Sequence, residues 1–141
     1  RSWVHILRNM CDHGIESPEE RVKKGKQENG KIIIDVQEEA QWFIFTIGDD
    51  GRGIDIPAVS KKAAEKGLIT AQAIEQIPPE AICQLIFQNG FSTKSKTTSL
   101  SGRGMGLASV KEEVEKLSGT IEVHSQQDIG TTFIIKIPLQ R

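Results

Sequence analysis

Four short segments of this 141-residue chain hold residue types that can do chemistry together. His5, Asn9 and His13 fall at i, i+4 and i+8 with Asp12 beside them, so on a helix they line one stripe and can converge on a single ligand. An amide oxygen and an imidazole suit a hydrated Mg²⁺ carrying phosphate oxygens better than a closed metal cage. Taken alone, that stripe reads as a solvated helix face. Asp49-Asp50-Gly51-Arg52-Gly53 ends an apolar run. A carboxylate there can accept from an exocyclic amine, and two glycines let the backbone approach a flat ring. A strand-ending turn, or a calcium loop short of most of its ligands, fits the same five residues. Ser101 through Leu107 is glycine-rich and opens a helix, whose free amides can bind phosphate. It is not a dinucleotide fingerprint, because position 107 is Leu and polar residues precede the glycines. The phosphate-loop pattern GxxxxGK(S/T) is absent, and a flexible hinge is the plain alternative. Finally, Thr131 in Gly130-Thr131-Thr132-Phe133 can hold a water against a buried polar ligand, although taken alone these residues read far more readily as an ordinary β-turn.

The elements that must position these groups follow from periodicity and turn signals. Residues 3–16 read as an amphipathic helix with Trp3, Ile6, Leu7 and Met10 on one side, ended by Gly14 and Pro18. The charged stretch 17–30 reads as a surface loop or a short helix with a turn. Lys31–Val36 and Trp42–Gly48 read as two strands joined through Gln37–Gln41. Helices are expected over Ala58–Lys66, Ala71–Gln76 and Glu80–Phe87, then a polar lid or binding loop over 88–104. Met105–Leu117 is again helical, and Thr120–Ser125 and Thr131–Leu139 are the last strands. The order α-β-β-α-α-α-β-β predicts a two-layer α/β sandwich: a mixed sheet covered on one face by helices.

Composition excludes several classes. The 18 basic and 19 acidic residues leave a net charge of -1, with no basic patch and no aromatic stacking motif for nucleic acid. Apolar runs of only a few residues give no direct membrane insertion and point to the cytoplasm. Cys11 and Cys83 form neither a disulfide framework nor a zinc knuckle. The opening Arg1-Ser2-Trp3 suggests a piece cut from something longer.

Together and in this order, the segments resemble the ATP-binding domain of histidine kinases in the GHKL superfamily, most similar to the chemotaxis kinases of the CheA type. The carrying residues are His5 through Glu16, Asp49 through Asp55, Gly90-Phe91-Ser92-Thr93-Lys94 and Ser101 through Gly106; HxxxNxxxHGIE and GFST are specific to that group, and the resemblance covers essentially residues 1–141. It implies a single ATP-binding catalytic domain with a Bergerat-type fold, excised from a multidomain kinase and lacking its first edge strand. By the same resemblance Asp49 accepts from the adenine amine, with Gly51, Gly53 and a Thr131-held water completing that end. Asn9, helped by His5, holds Mg²⁺, and His13 and Asp12 sit near the phosphates. Gly102, Arg103, Gly104, Met105 and Gly106 bend the lid and meet the phosphates, and Ser92, Thr93 and Lys94 form its hinge. The implied activity is presentation of the ATP γ-phosphate to a histidine on a separate phosphotransfer domain, with a response regulator downstream and a homodimeric parent. The alternative is a non-catalytic nucleotide-binding regulatory module of the same superfamily. One departure is Leu107-Ala108-Ser109-Val110, where those chemotaxis kinases commonly continue Met-Asp-Val-Val. His124 lies between Val123 and Ser125 and is expected to lack the acidic neighbour that activates an acceptor imidazole.

Overall fold

The computed structural model describes residues 6–8, 10–87 and 106–139, with Asp12 and His13 in their backbone only. Residues 6–8 are helical and Met10–Gly14 continue as a π-turn. Within the charged stretch 17–30, helix α1 (Pro18–Lys23) starts on Ser17, whose Oγ accepts from the Glu20 amide at 3.3 Å. Strands β1 (Ile32–Glu39) and β2 (Trp42–Asp49) form a hairpin. The expected five-residue connection shrinks to Ala40-Gln41, with Ala40 at φ 49°, and the polar Gln37–Glu39 extend β1 because they lie on an exposed edge. Next come α2 (Ile56–Glu65), α3 (Ala71–Ile74) and α4 (Pro79–Cys83), which tightens into a 3₁₀ turn over Gln84–Phe87. Asp55 Oδ1 caps α2 and Thr70 Oγ1 caps α3, each accepting an amide at 3.1 Å. Helix α5 (Gly106–Lys116) precedes β3 (Thr120–Gln126) and β4 (Gly130–Pro138).

The sheet order is β1-β2-β4-β3, and all three pairings are antiparallel. Two layers are therefore present as expected, but among the described residues the sheet is antiparallel rather than mixed. Strand β4, not β3, takes the place beside β2. With β3 there instead, running in the same direction as β2, the pair would have been parallel.

Alternation divides the sheet into two faces. Ile47, Val123, Phe133 and Ile135 are buried against Ile6, Met10, Cys83, Phe87, Val110 and Val114 of the helical layer. Phe87 meets Phe133 edge-on at 6.2 Å between ring centroids. A second cluster packs Val59 and Ala63 of α2 on Ile82 of α4. Gln84 secures this layer to the outer edge of β3: its amide donates to the Val123 carbonyl at 2.8 Å and accepts from the Val123 N–H at 3.4 Å. By the same alternation Asp49 and Thr131 project to the helix-covered face, at the end of the sheet where Gly14 arrives.

Candidate functional site

Asp49 is the last residue of β2 and pairs with Thr131 of β4. Its carboxylate is half-buried and Oδ1 accepts from the Gly51 amide at 2.8 Å. Burial pushes its pKa above the usual carboxylate value, against the opposing pull of the Gly51 and Thr131 amides. Behind it, Thr131 is buried with Oγ1 at 3.0 Å from Ser125 Oγ. Ser125 Oγ also accepts from the Ile54 amide at 2.7 Å and donates to the Gly130 carbonyl at 3.1 Å. That arrangement directs the Thr131 proton to Ser125 and leaves Thr131 acceptor capacity.

The loop after Asp49 is clasped on both sides. The Arg52 amide donates to the Gly14 carbonyl at 2.7 Å, so the first helix ends on this loop. A side chain at position 51 would run into that same Gly14 carbonyl. On the other side the Asp128 amide donates to the Arg52 carbonyl at 2.7 Å. Gly53, at φ 77°, lies where any Cβ would strike the Gln126 backbone. The glycines are thus required by close approach of neighbouring backbone on both flanks of the loop.

Beneath the loop lies a cluster of three cations and three carboxylates that the charged stretch 17–30 did not reveal as a buried feature. Glu16, with no exposed side-chain surface, meets Arg21 at 3.1 Å, Lys26 at 2.7 Å and Lys24 at 3.3 Å. Arg21 continues to Asp50 Oδ2 at 3.0 Å and to the Gln27 carbonyl at 2.6 Å, and Lys24 to Asp128 at 2.8 Å. Burial alone would raise the Glu16 pKa, but bonds from Lys26, the backbone and Lys24 overcome it and bring it down to about 2. Asp50 is also held below its usual value: burial acts upward, and the Lys31 amide and Arg21 pull it down. The one sequence signal for this cluster was Glu16 closing the HGIE motif. Arg21, Lys24 and Lys26 read only as surface charge.

The whole chain, residues 1–141, matches the family described as histidine kinase-, DNA gyrase B- and HSP90-like ATPases. The chain belongs to that family. Similar curated proteins include the sensor histidine kinase CheAY of Helicobacter pylori (44% identical over 136 residues) and the chemotaxis protein CheA of Borreliella burgdorferi (47%) and of Bacillus subtilis (40%). Each alignment covers 96% of this chain but only 17%, 16% and 20% of the relative, so the chain spans a fifth or less of their length. The departure at Leu107–Val110 does not separate it from these chemotaxis relatives.

Of the residues expected to form this ATPase-family site, the structure brings together Asp49, Gly51, Gly53 and Thr131 at one corner, with Gly14 beside them. His5, Asn9, Ser92, Thr93, Lys94, Gly102, Arg103, Gly104 and Met105 lie outside the described residues, as do the side chains of Asp12 and His13. Gly106 opens α5. The backbone through Asp12 and His13 is a π-turn, marked by the Ile15 amide reaching back to the Met10 carbonyl at 2.9 Å. The expectation for His124 is corrected too: Nε2 lies 2.6 Å from Glu122 Oε1, because residues two apart on a strand share a face. That pair occupies the face opposite Asp49, where His124 pairs with Thr132. Among the described residues no cluster of three or more His, Cys, Asp or Glu can hold a metal, and no helix is long and apolar enough to cross a membrane.

Proposed function

We propose that this chain is the ATP-binding catalytic domain of a CheA-like histidine kinase, part of a longer, cytoplasmic, homodimeric parent. The observation that carries it is Asp49: a half-buried carboxylate at a strand end, beside a glycine loop pressed against backbone on both flanks. Such a group suits a neutral donor such as the adenine amine. Asn9, with His5, holds Mg²⁺ against the phosphates, with His13 and Asp12 nearby; Gly102, Gly104 and Gly106 supply amides to the phosphates, and Ser92, Thr93 and Lys94 hinge the segment between. This chain's contribution to transfer is positioning and charge stabilisation of the γ-phosphate for a histidine on a separate phosphotransfer domain, which then serves a response regulator in a chemotaxis-type pathway. His124 is not that acceptor, since it projects from the opposite face of the sheet.

Calorimetry with ATP and GTP, with and without Mg²⁺, tests the binding half. ATP should bind and GTP, with a carbonyl where adenine has its amine, should bind poorly; equal affinities refute the Asp49 assignment. Radiolabelled ATP tests the transfer half. The chain alone should take up no acid-labile label, and label should appear on an added phosphotransfer domain; label on His5, His13 or His124 refutes the division of labour.

A further inference from the structure

Lys26 uses all three of its ammonium protons. Nζ lies 2.7 Å from Glu16 Oε2, 3.0 Å from the Asp50 carbonyl and 2.8 Å from the Gly51 carbonyl. The Asp50 carbonyl belongs to the same planar peptide unit as the Gly51 N–H, and in a trans peptide the two point in opposite directions. Holding that oxygen on one side therefore aims the Gly51 N–H on the other, where it donates to Asp49 Oδ1 at 2.8 Å. A cation on the carbonyl also polarises the unit and strengthens the N–H as a donor. Arg21 supports the same oxygen at 3.3 Å.

The geometry points to Lys26 as a positioning residue for base recognition, acting through the Asp50–Gly51 peptide to orient the Asp49 carboxylate. This rests on Asp49 being the acceptor for the adenine amine, and the test separates the two ideas. ATP is compared with purine riboside triphosphate, which differs only in lacking that amine. In the unmodified chain ATP should bind roughly ten- to a hundredfold more tightly. In Lys26→Met the ratio should fall below about threefold, because the carboxylate is no longer aimed, while affinity for the amine-free nucleotide changes little. Should Lys26→Met fold poorly, the ratio still reads the folded fraction, because partial unfolding weakens both nucleotides by the same factor. Repeating the pair of titrations at lower temperature, where more of the variant is folded, should show the same collapsed ratio. If the ratio stays at its original value in the variant, whatever its stability, Lys26 is a structural residue only and the proposal is overturned. If the unmodified chain shows no preference for ATP, the Asp49 reading fails first and takes this proposal with it.

Discussion

Replacing Glu16 by Gln tests the charge cluster under the Asp49 loop. The side chain has no exposed surface and meets three cations, of which Arg21 is itself only 1% exposed. Its pKa falls from 4.5 to about 2. At about 1.4 kcal/mol per pH unit, the ionised form contributes about 3 kcal/mol of stability at neutral pH. Because the folded value is the lower one, that contribution is complete above pH 4.5 and disappears as pH falls toward about 2. Glutamine keeps the volume but leaves buried Arg21 facing a neutral amide, and breaking a buried pair in this way costs about 3–5 kcal/mol. Against a total of about 5–15 kcal/mol for an ordinary domain, such a loss is severe. Urea unfolding at pH 7 and pH 3 reads both effects. The variant should lose about 3 kcal/mol or more at pH 7, and the gap to the parent should narrow at pH 3. Asp50 remains in both proteins and cancels in the comparison. A difference below about 1 kcal/mol at pH 7, or a gap that does not narrow with acid, refutes the reasoning.

Other perturbations address the site and its supports. Asp49→Ala should weaken ATP and ADP alike by about 1.5–3 kcal/mol, the scale of a hydrogen bond to a charged group, measured by calorimetry. Asn9→Ala should abolish the Mg²⁺-dependent part of ATP binding and leave titrations in EDTA unchanged. Gln84→Leu strips the β3 edge of its amide partner, and thermal unfolding should show a loss of about 1–2 kcal/mol with faster exchange of the Val123 N–H.

The strands and the core face were legible because alternation is a local signal: Ile47, Phe133 and Ile135 announce their face from their own neighbours. Asp49 with Gly51 and Gly53 was legible for the same reason, as was the hydroxyl at Thr131. Ser125, which orders Thr131, was not, since six residues and a turn separate them. The charge cluster depends on Arg21 reaching Asp50 across 29 positions and Lys24 reaching Asp128 across 104, and no periodicity encodes such pairs. The π-turn at Met10–Gly14 adds one residue to a helical turn without altering the apolar pattern. The antiparallel order turned on β4 entering beside β2, a choice made by tertiary packing alone.

The two outer strands of the sheet are not equivalent, and this governs how copies of the chain can associate. At β3 the Val123 N–H and carbonyl are already taken by Gln84. At β1 no described residue pairs with the outer edge, and Ile33, Ile34 and Val36 stand 66%, 56% and 55% exposed beside Asp35, Glu38 and Glu39. Of the two edges β1 is the more open, and a second copy of the chain laid along it would pair β1 against β1 about a two-fold axis. Such a pair would bring the carboxylates of Asp35 and Glu39 on both strands into one narrow ribbon, where low salt leaves their repulsion unscreened.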